Sequence, residues 1–240
     1  MAQRFHLPPP SQQPPAVGDE FEADAERAHY LCRVLRHRTG DTVPCFDGAG
    51  QTFDCTMLDA NPRRCRLRVT AVADPVPRPA AETHMVLGLL KGAAMDRAVA
   101  QCVELGASAI TLVSCARSNV RLEPARSDNK RSHWQKIIVG ACEQSGQLFV
   151  PALRLASSLP AVLEAAEGTQ LVLKAGAARL LGDPGDQVTL FVGPEGGWAP
   201  DEDAVFERTG VTAVGLGELV LRAETVPAAA LSLVNYLRSV

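Results

Sequence analysis

From residue 84 onward, short apolar runs alternate with longer segments of helical period. "MVLGLL", "AITLV", "QLVLK", "VTLFVG" and "AVGLG" read as strands. "AMDRAVAQCVELG" reads as a helix ending at Gly106, and "SDNKRSHWQKIIVGACEQSG" as a long helix capped by Ser127 or Asp128. "APDEDAVFERTG" has Pro200 in its first turn and Gly210 past its end, and "AETVPAAALSLVNYL" is the last helix. Strands joined by crossover helices run parallel, and a parallel sheet must be covered on both faces. This predicts an α/β fold with a mostly parallel sheet, whose ligands sit beyond the carboxyl ends of the strands.

Ahead of this region lies "ADPVPRPAAET", with prolines at 75, 77 and 79. Such a run disfavours both helix and central strand, so residues 75–83 read as a linker between a domain over 1–74 and one over 84–240. The first domain carries mostly β signals: "TVPCF", "TFDCTML" and "CRLRVTAV", with "DGAG" as a hairpin turn between the first two. One helix interrupts them. Asp24 can cap "DAERAHYLCRVLR", Ala28, Leu31, Val34 and Leu35 share a face, and Gly40 is expected to end it. Short strands with a single helix predict a small barrel.

Composition narrows the class of function. The 240 residues are 46% hydrophobic and carry a net charge of -3, so any nucleic-acid surface must be a local patch. Seven scattered cysteines offer no CxxC pair and no zinc spacing, which points to a reduced, cytoplasmic protein with thiols used as small hydrophobes. His29, His37, His84 and His133 show no metal spacing either, so no metal is expected. "MAQRFHLPPPSQQPPAVGDE" has no apolar run, so no secretory signal is expected, and no stretch is long enough to predict a membrane span.

Two loops carry the chemistry. In "LFVGPEGGWAPDE" an apolar strand turns through Gly193, Gly196 and Gly197 with one carboxylate, Glu195, and starts a helix at once. Glycines there let bare backbone N–H and C=O groups approach a planar, hydrogen-bonding ligand. No Gly-Lys-Ser/Thr follows and no GxGxxG is present, so a phosphate cradle is not indicated. The bland alternative is a tight strand-to-helix turn. The second loop, "LGELVLRAET", sets a lone Arg222 in an apolar run before Glu224 and Thr225. Arg222 either pairs structurally with Glu224 or Glu195, or holds a substrate by planar, charge-assisted bonds; spacing does not choose.

"GPEGGWAPDE" together with "LGELVLRAETVPAAAL" closely resembles the C-terminal signature of the RsmE family, the bacterial ribosomal RNA small-subunit methyltransferases E of the SPOUT class. "RFHL", "HYLCRVLRHRTGDTVPCFDGAG", "LLKGAAMDRAVAQCVELGASAITLVSCARS" and "HWQKIIVGACEQSGQLFVP" also look like family blocks, in the family's order. The resemblance implies a PUA-like RNA-binding barrel followed by a SPOUT domain with a trefoil knot, and a homodimer. It implies S-adenosylmethionine as methyl donor and methylation of N3 of one uridine in 16S rRNA, within the small ribosomal subunit. For the cofactor it implies Leu173, Val192, Gly193, Pro194, Glu195, Gly196 and Gly197 from the first half of the site, and Leu216, Gly217, Leu221, Arg222 and Glu224 from the second. Arg222 is the candidate catalytic residue. The sequence departs from the family at Ala100 and Gln101, where a Gln-Lys pair is usual, at "SCARS", which lacks a glutamate, at Ala223 and at Pro227.

Loss of the N3 proton must be assisted, and a guanidinium near the uracil carbonyls can stabilise the developing anion. Glu195 is better suited to orienting the loop than to acting as base. Phosphate contacts are expected at Arg4, at Arg33, Arg36 and Arg38, and at Arg63, Arg64, Arg66 and Arg68. A second basic stretch holds Arg117, Arg121, Arg126, Lys130 and Arg131, of which Arg117 and Arg121 are expected to contact RNA, while acids cluster at Asp19, Glu20, Glu22, Asp24 and Glu26. Trp134 and Trp198 read as core or interface residues. The face of the last helix bearing Ala228, Leu231, Val234 and Leu237 is expected to meet its twin in a dimer. Two alternatives remain: a non-catalytic RNA-binding SPOUT-like protein, and a SPOUT methyltransferase acting on another RNA.

Overall fold

The computed structural model describes residues 4–9, 13–121 and 127–239. It divides into two compact units, Met1–Arg78 with Cys142–Val150 and Pro79–Ala141 with Pro151–Val240.

The first unit is built on a curled five-stranded sheet in the order β1-β3-β4-β5-β2. Its strands are β1 (Phe5–His6), β2 (Glu20–Glu22), β3 (Thr42–Phe46), β4 (Thr52–Asp59) and β5 (Arg66–Val72). Along β4 the burial alternates, with Phe53, Cys55 and Met57 turned inward onto Val43, Leu67 and Val69. That is the period of a strand with one wet face. The β3–β4 turn is shaped by Asp47, whose Oδ1 accepts from Ala49 N at 2.7 Å and Gln51 N at 3.0 Å. Gly48 and Gly50 take positive φ there, 85° and 103°, which a Cβ would oppose. Cys45, Cys55 and Cys65 are buried as free thiols in the same core.

The helix of this unit departs from expectation. Helix α1 (Ala25–His29) starts where predicted, with Asp24 Oδ1 accepting from Arg27 N at 2.9 Å. It then widens into a π-helical turn over Tyr30–Val34. His37 N donates to Leu31 O at 3.0 Å across Arg36, which adopts φ 61°, so the helix closes well before Gly40. Gly40 shapes the next turn instead. A left-handed arginine costs about 1 kcal/mol, a strain that the wide turn beside it imposes.

The second unit carries a six-stranded, all-parallel sheet in the order β11-β9-β10-β6-β7-β8. Its strands are β6 (Glu82–Gly88), β7 (Ala109–Val113), β8 (Ala152–Ala156), β9 (Thr169–Leu173), β10 (Gln187–Val192) and β11 (Thr212–Val214). The crossovers run through α2 (Ala93–Glu104), α3 (Ser127–Ser145), α4 (Leu159–Glu164) and α5 (Pro200–Arg208), and α6 (Val226–Ser239) ends the chain. Strand β8 and helix α4 were not anticipated, and α6 begins at Val226 rather than Ala223. Both faces of the central strands are covered: in β10, Leu190 and Phe191 are fully buried. The chain winds outward from β6 through β7 to β8, then returns to β9 on the far side, so β6 and β10 lie side by side at a reversal of order. Ligands of open parallel sheets bind above such a reversal.

The last helix shares its apolar face with the rest of the chain. Its Leu231 and Val234 are fully buried within the chain, and α6 packs on α2. Asn235 Nδ2 donates to Leu105 O at 2.8 Å, and the Arg238 guanidinium donates to the carbonyls of Glu82, Gly185 and Asp186 and to Thr83 Oγ1. Two of the four residues on the apolar face are thus covered within the chain, while Ala228 and Leu237 are only partly buried.

Gly168, between α4 and β9, sits at φ 71°, and a Cβ there would lie 2.3 Å from the Gln187 carbonyl oxygen. Gly168→Ala should destabilise the protein by about 2 kcal/mol or more. Gly176→Ala serves as control, since φ is 74° there but nothing lies within 4 Å of the added carbon. It should cost only about 1 kcal/mol of backbone strain. Urea unfolding of both variants checks the difference; equal losses would contradict the close approach.

Candidate active site

The loops that follow the carboxyl ends of β6, β7 and β10 are fastened to one another. Gly88 ends β6, and a Cβ on it would stand 2.6 Å from Pro194 Cδ and 2.7 Å from Pro194 N. Only a missing side chain lets the "GPEGG" turn lie against that strand. Glu195 Oε1 then accepts from Lys91 N at 3.1 Å, in the loop after β6. Arg117 Nη1, in the loop after β7, donates to Gly196 O at 3.1 Å. Helix α5 starts at Pro200, where the missing N–H costs nothing. Ala199 has no side-chain oxygen to offer, so Glu202 does the capping: Oε2 accepts from Ala199 N at 2.8 Å and Oε1 from Ala116 N at 2.9 Å. Trp198 is buried behind the turn, edge-on to Phe206 with ring centroids 4.8 Å apart.

The second loop is held as firmly at its ends. Lys174 N donates to Val214 O, Gly215 N to Arg179 O at 2.8 Å, and Leu181 N to Gly215 O at 3.0 Å. The Arg222 carbonyl accepts from Thr225 N at 2.8 Å and Val226 N at 3.2 Å, which starts α6. Between these ends Leu219 and Val220 stand 83% and 81% exposed.

The loops enclose a cleft of about 250 Å³ that continues into a narrower hollow of about 60 Å³. Leu173, Val192, Gly193, Pro194, Glu195, Gly197 and Leu221 line the cleft, and Leu216 and Gly217 line the hollow together with Leu173 and Leu221. Three of the residues predicted for the site line neither. Gly196 turns its carbonyl to Arg117, Glu224 stands 3.5 Å from Arg97, and the Arg222 side chain is exposed. Among the described residues Arg222 takes no side-chain hydrogen bond or ion pair, so it is not the partner of Glu195 or Glu224. Sequence reading missed Lys174, Trp198, Asp203 and Val226, which also line the cleft. Lys174 follows Leu173 directly, but Asp203 reaches the site only because α5 folds back over the end of β9.

The basic residues divide by environment. Glu20 and Glu22 on β2 pair with β5, in the registers Glu20 to Arg68 and Glu22 to Arg66. Arg68 Nη2 lies 2.6 Å from Glu20, Arg66 Nη1 3.8 Å from the same carboxylate, and Arg64 Nε 2.9 Å from Glu22. The Arg68 hydrogen bond holds the Glu20 carboxyl below its usual range. Arg64, Arg66 and Arg68 therefore share two cross-strand carboxylates, which offset part of the charge of that run. Arg33, Arg36 and Arg38 stay exposed with no side-chain partner among the described residues, and Arg4 is half-buried beside Tyr30 and His37. Arg117 and Arg121 are both exposed, Arg117 bracing the Gly196 carbonyl and Arg121 accepting Lys130 Nζ on its backbone oxygen. Arg126 lies outside the described residues. His84, at the opposite end of the sheet, bonds Thr111 Oγ1 at 2.8 Å, and burial pushes it down to about 4, so it is neutral packing material.

Comparison with known proteins agrees with this geometry. The model of the RNA methyltransferase domain matches residues 77–235, and that of the RNA methyltransferase PUA domain matches residues 23–70. The chain is 31% identical to the ribosomal RNA small subunit methyltransferase E of Synechocystis sp., over 87% of this chain and 70% of the relative. It is 30% identical to the Mycobacterium bovis protein of the same name, over 94% of this chain and 89% of the relative. A crystal structure of ribosomal RNA small subunit methyltransferase E from Neisseria gonorrhoeae, bound to S-adenosyl methionine, superposes with a TM-score of 0.87 at 28% identity, covering 99% of this chain and 98% of that one. With a PUA-like unit, a parallel sheet of the SPOUT kind and matches along nearly its whole length, the chain belongs to the ribosomal RNA small subunit methyltransferase E family and is an rRNA methyltransferase.

Proposed function

We propose that the cleft binds S-adenosylmethionine and that the enzyme methylates N3 of one uridine in 16S rRNA, in the small ribosomal subunit of the cytoplasm. The observation that carries this reading is the pair of glycine-bearing loops, braced at the carboxyl ends of β6, β9 and β10, that opens a two-part cleft. The residues present fit the cofactor. The narrow hollow offers Val214, Leu216, Leu221 and Gly217 to a flat base, Lys174 stands where it meets the wider cleft, and the wider cleft adds Glu195 and Asp203 for a polar remainder. When bound there, the cofactor supplies the methyl group on its sulfonium. The protein's share is to position the two reactants and to ease loss of the N3 proton.

Arg222 suits the second task. Its backbone is fixed where α6 starts, and its exposed guanidinium is left free to face a base brought over the cleft. Charge that develops on the uracil oxygens as the proton leaves is stabilised by such a donor. Glu195 is engaged with Lys91 N and holds the loop in place. Arg4, Arg33, Arg36, Arg38 and Arg121 take phosphates, and Arg117 serves the RNA indirectly by bracing Gly196. With Leu231 and Val234 already covered, a homodimer would use the exposed apolar side chains Leu219, Val220 and Tyr236.

The reading is tested by incubating the protein with labelled S-adenosylmethionine and either small subunits or naked 16S rRNA. Label recovered as N3-methyluridine supports it; label in another nucleoside, or none in either substrate, contradicts it. Gly88→Ala should push Pro194 off β6 and weaken cofactor binding about tenfold or more, because small misplacements at a built site are expensive. Calorimetry on the folded variant checks this, and unchanged affinity would contradict the wedge. Arg222→Ala should lower turnover about a hundredfold and leave cofactor affinity intact. Arg33→Ala with Arg36→Ala should spare saturating turnover, weaken RNA binding and reduce its salt slope by about two. Kinetic titrations at two salt concentrations separate the two effects; an Arg222 variant with normal turnover and weaker RNA binding would overturn its assignment.

A further inference from the structure

We propose that Lys174 and Asp203 form the recognition site for the amino-acid end of the cofactor, so that the cleft selects a zwitterion over a bare nucleoside. This rests on the cofactor reading above. Lys174 is the first residue past β9, and Asp203 stands early in α5. Their side chains meet at 2.8 Å on the wall of the wider cleft, 26% and 37% exposed. The pair is half-withdrawn from water yet open to a ligand on one side.

The pair is incompletely satisfied. Asp203 Oδ1 is shut off from solvent and takes no well-directed hydrogen bond, even with Lys174 Nζ close by. An ammonium can donate three hydrogen bonds, and Lys174 uses little of that capacity here. Both residues thus retain bonding capacity of opposite kinds, an acceptor and a donor, side by side. A ligand with one ammonium and one carboxylate on the same carbon matches that arrangement, ammonium to Asp203 and carboxylate to Lys174.

Placement of the pair fixes which end of the ligand faces it: Lys174 stands where cleft and hollow meet, and Asp203 lines the wider cleft. Val214, Leu216, Leu219, Leu221 and Val226 wall the narrow hollow and suit a purine ring. A base placed there turns the rest of the molecule into the wider cleft. Its other carboxylate, Glu195, is already committed to Lys91 N.

The test is calorimetric titration of S-adenosylmethionine, S-adenosylhomocysteine and 5′-methylthioadenosine, the last lacking the amino-acid end, into the wild-type protein and two variants. Lys174→Met should weaken the first two ligands about tenfold or more, the usual scale for a lost charge-assisted hydrogen bond. It should leave 5′-methylthioadenosine within about twofold, which also shows that the variant is folded. Lys174→Arg should retain most of the affinity for all three. Equal losses for the three ligands, or no loss for any, would overturn the proposal while leaving the cofactor reading in place. A wild-type protein that binds none of them would overturn both.

Discussion

The absence of a side chain at Gly88 is the constraint on which the site depends. Because nothing projects from the end of β6, Pro194 can rest on it, and the "GPEGG" turn is drawn down between two central strands. Everything else follows from that approach: Glu195 comes within reach of Lys91 N, Gly196 within reach of Arg117, and Glu202 within reach of Ala116. One bond ties the turn and the start of α5 to the loop after β6, and two tie them to the loop after β7. The cleft is a rigid gap between braced backbones, which is the form a site needs when positioning is most of the catalysis.

The glycine turns were readable because their chemistry is local. A backbone that must pass close to a strand demands glycine wherever the rest of the chain lies, and the apolar periods of β6, β7, β9 and β10 mark what surrounds it. Short elements were not readable. "ALRLA" alternates over too few residues to stand out, and "LPAVLE" is too short to show a helical face, so β8 and α4 went unmarked. The end of α1 was misplaced for a different reason: a π-helical turn alters the period itself, and a left-handed arginine is the last residue expected to close a helix.

Side-chain partnerships were the least legible. The acids at Glu20 and Glu22 and the bases at Arg64, Arg66 and Arg68 read as separate patches of opposite sign, yet the β2–β5 register sets them face to face. Two carboxylates offset part of that charge, whereas Arg33, Arg36 and Arg38 have no acidic partner among the described residues. The same holds for the last helix, whose apolar stripe marks burial without saying what buries it; α2 packs on the helix within the chain, and only part of the stripe is fully covered. Lys174 and Asp203 belong to different elements and meet only through the sheet order. Such pairs are properties of the topology, and no local pattern announces them.

The central claim is that this cleft delivers a methyl group to N3 of one uridine in 16S rRNA. Nucleoside mass spectrometry of 16S rRNA from cells lacking the protein, with and without the restored gene, tests it most directly. N3-methyluridine should disappear from one position and return on complementation. An unchanged 16S methylation profile in the deleted strain would contradict it.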